Sequence, residues 1–209
     1  MISIVIPAFN EEYYLPKLLD SIKRQTYKNY EIIVADADSK DKTRQIAKKH
    51  GCSIVKGGMP AAGRNSGAKS AKGDILLFLD ADVQFDENFL KNAADEFEGR
   101  KLDVAGFYIH PLGNNIIDKI FFGIFNLWIF ATQFFYPNAS GSGIICKKCF
   151  VSENKAQKIN SDIVKILRLI LRKEWQIINR LKVEPSSQNL LSQISDNYYL
   201  YMLQSHAFS

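Results

Sequence analysis

Asp80, Asp82 and Gln84 alternate just beyond the apolar run Ile75-Leu76-Leu77-Phe78-Leu79. Two carboxylates at i, i+2 with a carboxamide two positions on are oxygen donors of the kind hard divalent cations take. The run before them has strand length and no polar interruption, as in a strand buried on both faces of a parallel sheet. Ligands of open α/β sheets gather beyond the carboxyl ends of such strands, where the two aspartates would sit. Left unneutralised there, the pair would be costly. A pair of solvated turn aspartates is the plain alternative.

Other acids fall at comparable places. Glu11 follows the β-branched stretch 2–7, and Asp36 and Asp38 follow the stretch 30–35. If those stretches are parallel strands, their ends share one edge, and Glu11, Asp36, Asp38, Asp80 and Asp82 converge on one cleft. Acids crowded in one groove repel one another unless a metal and hydrogen bonds hold them. Arg64, in Gly63-Arg64-Asn65-Ser66-Gly67, adds a cation suited to phosphate or carboxylate, or else an ordinary surface ion pair.

The elements that position these groups follow from pattern. Pro7 stops the first strand. Asn10 is placed to cap a helix carrying Tyr14, Leu15, Leu18, Leu19 and Ile22 at helical spacing. A strand over 30–35, a helix from Thr43 to His50 ended by Gly51, a strand over 52–55, a small-residue helix over 60–71 and the strand before Asp80 complete the series. This β-α-β-α-β-α-β order predicts an α/β fold, a Rossmann-like and mainly parallel sheet with helices on both faces.

Composition bounds the partners. The chain has 209 residues, 46% of them apolar, and a formal charge of +5. That charge is too slight and dispersed for nucleic acid, but it suits an anionic membrane surface or a phosphorylated substrate. Cys146-Lys147-Lys148-Cys149 has CxxC spacing without a second Cys or His cluster to complete a zinc site, and reduced thiols in a cytoplasmic protein are expected. No signal peptide is evident at the start. Residues 114–137 are dense in Phe, Ile and Trp, with a narrow polar stripe through Lys119, Gly123, Asn126 and Gln133. The stretch reads as an interfacial helix on the inner membrane face or as a helix packed across the sheet edge, rather than as a membrane span.

Several motifs are excluded. No GxGxxG follows a strand and no GxxxxGK[ST] occurs, which disfavours dinucleotide-binding and P-loop readings. Asp36-Ala37-Asp38-Ser39-Lys40-Asp41 starts like a calcium loop but lacks its glycine. Asn138-Ala139-Ser140 matches a glycosylation sequon, a weak signal where no secretory signal is evident.

Four segments in order resemble the family 2 glycosyltransferases of the GT-A fold. They are Ile4-Val5-Ile6-Pro7-Ala8-Phe9-Asn10-Glu11-Glu12, Ile33-Val34-Ala35-Asp36-Ala37-Asp38-Ser39, Ala62-Gly63-Arg64-Asn65-Ser66-Gly67 and Asp80-Ala81-Asp82. The resemblance covers about residues 1–150. It implies that Pro7, Ala8, Glu11 and Asp36 line the pocket for the donor's base and ribose, Asp36 accepting a hydrogen bond from the base. It also implies that Arg64, Asp80 and Ala81 meet the diphosphate. Asp80 and Asp82 would hold Mg²⁺ or Mn²⁺, and Gln84 matches the added ligand of polyprenyl-phosphate sugar transferases. A UDP-sugar is the first expectation for the donor and a GDP-sugar the second; a lipid-linked or saccharide acceptor follows from the same resemblance. The expected domains are a nucleotide-sugar-binding core over 1–113, an aromatic, membrane-facing segment over 114–150 and an atypical helical tail over 151–209.

The resemblance stops at the tail. All twelve glycines fall within the first 143 residues. Where the family places an acidic motif that supplies the catalytic base, Val151-Ser152-Glu153-Asn154-Lys155 stands, and neither Glu153 nor Asp162 has the family's context. No base is assigned. An enzyme is the first reading, and a nucleotide-sugar-binding pseudoenzyme or inactive fragment lacking the acceptor half is the alternative. Residues 162–181 carry an apolar stripe at helical spacing and predict a helix. A slipped reading frame or a lineage-specific extension would each explain the change, and on the first the tail should dock poorly.

Overall fold

Residues 1–112, 115–132, 143–149 and 175–183 are described by a computed structural model. The first half alternates as its residue pattern predicts: β1 Ile2–Ala8, α1 Leu15–Lys23, β2 Tyr30–Asp36, α2 Thr43–Lys49, β3 Ser53–Lys56, α3 Pro60–Ser70 and β4 Ile75–Leu79. A short β5 Val83–Gln84, α4 Phe89–Gly99, β6 Val104–Pro111, α5 Ile116–Thr132, β7 Gly143–Lys147 and β8 Trp175–Val183 follow. The strands form one sheet in the order β3-β2-β1-β4-β7-β6-β8-β5. β3, β2, β1 and β4 run parallel, with Ala8 opposite Asp36 and Asp36 opposite Lys56, so their carboxyl ends share one edge. β7 enters antiparallel between β4 and β6.

Period-two alternation divides the core between the two faces of the sheet. Ile2, Ile4 and Ile6 of β1 cluster with Leu15, Leu18 and Leu19 of α1 and with Leu90, Ala93 and Phe97 of α4. Val5 clusters instead with Ile33, Leu76, Phe78 and Ala68 of α3. Helix α3 can lie this close because of two glycines. A Cβ on Gly67 would stand 2.2 Å from Val5 Cγ1, and one on Gly63 3.2 Å from Pro7 Cβ.

Helix α5 packs through a few residues and leaves most of its apolar surface bare. Phe122 and Ile129 are buried, whereas Ile116, Ile117, Ile120, Ile124, Leu127, Trp128 and Phe130 are exposed. Its anchor is polar. β7 pairs with β6 only as far as Gly106. Beyond that point Asn126 takes the place of a strand, its Nδ2 donating to Ile109 O at 2.7 Å and its Oδ1 accepting from Ile109 N at 3.1 Å. No helix among the described residues is long and apolar enough to cross a membrane. Gln133, the end of the aromatic stretch to residue 137 and the sequon at Asn138 lie outside the described residues.

Two expectations are corrected. Asn10 does not cap α1: the helix begins at Leu15, after Tyr14, with no side-chain cap. Asn10 sits at φ 55°, committed to the loop after β2 through bonds that a cap position would forbid. The second correction concerns the tail. Residues 162–174 lie outside the described residues, but 175–183, predicted as the end of a helix, form β8. β8 pairs parallel with β6 and antiparallel with β5, so this part of the tail is inserted in the sheet rather than loosely docked. A register shift between Phe107 and Tyr108 places Ile178 opposite Phe107 and Leu181 opposite Ile109. The bulge therefore spaces two strand positions three residues apart, the same interval that a helix uses.

Candidate active site

The loop leaving β1 is stitched to the loop leaving β2. Ala37 N donates to Ala8 O at 2.8 Å, Asn10 N to Ser39 Oγ at 2.9 Å, Glu11 N to Thr43 Oγ1 at 2.8 Å and Glu12 N to Asp41 Oδ2 at 3.0 Å. In return Lys40 N donates to Asn10 Oδ1 at 2.9 Å and Lys42 N to Glu12 Oε2 at 3.1 Å. Thr43 is fully buried, so the crossing is rigid where it meets the sheet edge.

Asp36, only 4% exposed, lies at the centre of this edge beside Ala8. Arg44 Nε stands 3.6 Å from its Oδ2, and Ser39 N approaches both carboxylate oxygens at 3.3–3.4 Å. Asp38, expected among the converging acids, is not there. It occupies the left-handed region at φ 64° and pairs on the surface with Lys40 at 2.7 Å. Lys40 holds its carboxyl below the usual range by hydrogen bond and charge.

Across β1, Arg64 of α3 reaches the residue that follows β4. Its Nη2 lies 2.6 Å from Asp80 Oδ1, a short charge-assisted contact with the guanidinium well buried. Ala81 and Asp82 are buried next to it, and Gln84 is fixed in β5 opposite Lys182. Gln25, fully buried at the end of α1, braces the segment after Gln84: its Nε2 donates to Asp86 O at 2.7 Å and its Oε1 accepts from Leu90 N at 2.9 Å.

Glu11 lies within electrostatic reach of two of these groups. Burial first, then the charges of Asp82, Asp80 and Asp41, push its carboxyl up to about 7. Asp82 and Asp80 thus lie within charge range of Glu11, while Asp36 with Pro7 and Ala8 forms the adjoining edge. Arg44 and Gln25 were not found from sequence. Arg44 looks like any exposed helical cation, and Gln25 sits in a polar run after a helix with no motif around it.

The donor set suits Mg²⁺ or Mn²⁺ of a particular kind. Among the described residues no three His, Cys, Asp or Glu side chains group closely enough to hold an ion by themselves. Magnesium-type sites are built from one or two carboxylates plus substrate phosphates, and Asp80, Asp82 and the Gln84 carboxamide match that requirement. A recess of about 730 Å³ lined by Met1, Asp74, Phe97, Lys101 and Lys148 lies at the opposite edge, where β1 and β4 begin, and touches none of these groups. The CxxC thiols form no disulfide with each other, and burial pushes the Cys146 thiol up to about 12.

Comparison with known proteins decides the family. Residues 3–147 match the profile described as glycosyl transferase family 2. The chain belongs to that family. Glycosyltransferase GlyA of Streptococcus pneumoniae is 30% identical over 140 residues, covering 57% of this chain and 20% of that protein. A Methanococcus voltae dolichyl N-acetyl-α-D-glucosaminyl phosphate 3-β-D-2,3-diacetamido-2,3-dideoxy-β-D-glucuronosyltransferase is 33% identical over 135 residues, covering 57% and 42%. The chain therefore spans less than half the length of either relative. Staphylococcus aureus TarS 1-349, solved in complex with UDP-GlcNAc, superposes at TM-score 0.67 with 20% identity over 88% of this chain and 58% of that one. The mannosyltransferase PcManGT of Pyrobaculum calidifontis, solved with GDP-Man and Mn²⁺, superposes at 0.68 with 17% identity over 87% and 56%. These likenesses establish the GT-A fold. Residues 129–208 match a second profile, described as recombination protein O C terminal.

Proposed function

We propose that this family 2 chain is a metal-dependent glycosyltransferase that moves a sugar from a nucleoside-diphosphate donor to a lipid-linked or saccharide acceptor. The observation that carries the reading is the placement of Asp36, Asp80 and Asp82 along the carboxyl edge of the parallel strands with Arg64 on Asp80, beside a Glu11 whose carboxyl is raised by burial first and by Asp82 and Asp80 second. Such crowding is costly unless a cation relieves it. Pro7, Ala8, Glu11 and Asp36 are assigned to the base and ribose, Asp36 accepting from an N–H of the base. Arg64, Asp80 and Ala81 are assigned to the diphosphate, and Asp80, Asp82 and Gln84 to Mg²⁺ or Mn²⁺. When bound, the ion stabilises the negative charge that grows on the diphosphate as the sugar leaves. The residues around it orient the leaving group, and Gln25 and Thr43 fix the loops that carry them. An anionic phosphate acceptor would need no base, whereas a hydroxyl would.

Relatives and neighbours support the substrate class: one is named for a dolichyl-linked acceptor, and solved neighbours carry UDP-GlcNAc or GDP-Man with Mn²⁺. The bare face of α5 supports peripheral docking on a membrane, since a contiguous apolar surface of this kind is seldom left to water. We assign residues 1–113 to the donor core, 114–150 to the membrane-facing segment and 151–209 to a tail outside the family's match, which ends at residue 147. A panel of UDP- and GDP-sugars assayed for binding, hydrolysis and transfer, with and without Mn²⁺, tests the reading. Failure to bind any of them would end it. Binding with no turnover would select the pseudoenzyme, which the sequence Val151-Ser152-Glu153 favours by lacking the family's acidic motif.

A further inference from the structure

The Arg64–Asp80 contact occupies a position that the donor site needs for something else. The backbone of Arg64 is held beside it. It sits on α3, which Gly63 and Gly67 press against Pro7 and Val5, so its stem is fixed over the carboxyl end of β1. Its guanidinium is more buried than the carboxylate it holds, at 14% against 29% side-chain exposure. Asp80 is the residue through which charge enters the cleft from β4, and with Asp82 it raises Glu11. Arg64 is thus a cation already paired with this cluster through Asp80. A divalent ion on Asp80 would face that guanidinium across one carboxyl group, and two cations there repel.

We propose that Arg64 is a resident cation that yields Asp80 to the divalent ion and takes the donor's diphosphate in exchange. Ion and nucleotide then bind as a coupled pair. This rests on the donor-site reading above and adds to it a positioning role: Arg64 makes the cleft a poor trap for metal alone and a good one for metal with diphosphate. The planar guanidinium suits both states, since it can form forked hydrogen bonds with a carboxylate or with phosphate oxygens. A purely structural ion pair would behave differently. Its loss could strengthen metal binding by removing a competing charge, but it would leave the coupling between ion and nucleotide unchanged.

The test measures Mn²⁺ binding to the full chain by electron paramagnetic resonance and titration calorimetry, alone and with saturating UDP or GDP. Arg64→Met should bind Mn²⁺ alone at least tenfold more tightly than the wild type. The factor by which the nucleotide strengthens Mn²⁺ binding should fall at least tenfold in the same variant. Unchanged or weaker binding of Mn²⁺ alone, or unaltered coupling, overturns the exchange. Should Arg64→Met fail to fold, Arg64→Lys keeps the charge but not the fork. Its affinity for Mn²⁺ alone should then stay within threefold of wild type while the coupling falls at least threefold, and unaltered coupling overturns the exchange. A wild type that binds neither nucleotide in Mn²⁺ defeats the donor-site reading itself, an outcome distinct from either of these.

Discussion

Glu11→Gln converts the titrating group of the cleft into a neutral one of the same shape. Glu11 makes main-chain hydrogen bonds, its N–H donating to Thr43 Oγ1 and its carbonyl accepting from Leu15 N, and the exchange leaves them in place. Moving a carboxyl from 4.5 to about 7 corresponds to about 3 kcal/mol if none of the charge is screened. Glu11 is only half-buried, and solvent screening reduces this to about 1–2 kcal/mol. The sign follows from proton counting. Between pH 4.5 and about 7 the folded chain holds a proton on Glu11 that the unfolded chain has released. Stability therefore falls as pH rises through that window. Below it, protonated Glu11 resembles Gln and the two proteins should be about equally stable. At pH 8 the variant should be more stable by about 1–2 kcal/mol. Urea unfolding of both proteins at pH 5 and pH 8 gives the difference directly, and the slopes with urea should match. A gap of the same size at both pH values would mean that the Glu11 carboxyl is not raised in the folded chain, and the partly buried acidic setting assigned to it would be refuted.

Asp82→Asn removes one charged oxygen donor and relieves Glu11. It should lower Mn²⁺-dependent UDP affinity at least tenfold, about 1.4 kcal/mol or more, with thermal stability retained. Unchanged affinity by calorimetry would remove Asp82 from the ion site. Gly67→Ala places a methyl 2.2 Å from Val5 Cγ1 and should destabilise the chain by about 1–3 kcal/mol; a melting temperature within error of wild type would contradict the close packing of α3 on β1. The wild type should co-sediment with anionic liposomes, and replacing Phe121, Phe125 and Trp128 with Ser should release it. A wild type that stays in the supernatant would mean that the α5 face does not meet a membrane.

The parallel half of the fold was legible because each of its strands is punctuated by a residue with one strong local meaning. Pro7 ends one strand, Gly51 sits at φ 74° after α2, and the uninterrupted run 75–79 reads as doubly buried. The site was legible to the same depth, since acids at strand ends need only topology to bring them together. Asp38 misled because one residue in the left-handed region turned its side chain outward, and period-based reasoning carries no sign of φ. Gln25 acts through distant partners, Asp86 and Leu90, which no local window contains, and Arg44 meets Asp36 only because the loop after β2 folds back. β8 was hidden by a single bulged residue that imitated helical spacing.

The edge position of β5 has a consequence for how the protein is made. Val83 and Gln84 pair with β8 and with no other described strand. On a ribosome the units from β1 to β4 can assemble soon after they emerge, since each pairing spans a short stretch of chain. The strand that steadies Gln84 arrives roughly a hundred residues later, and closing so long a loop is slow. A chain halted after β7 would already own its sheet edge, its buried Asp36 and its Arg64–Asp80 contact. Its β5 would still lack a partner. The last described strand to be synthesised therefore sets when the acidic cleft becomes whole, and truncations there should reach the site before they reach the core.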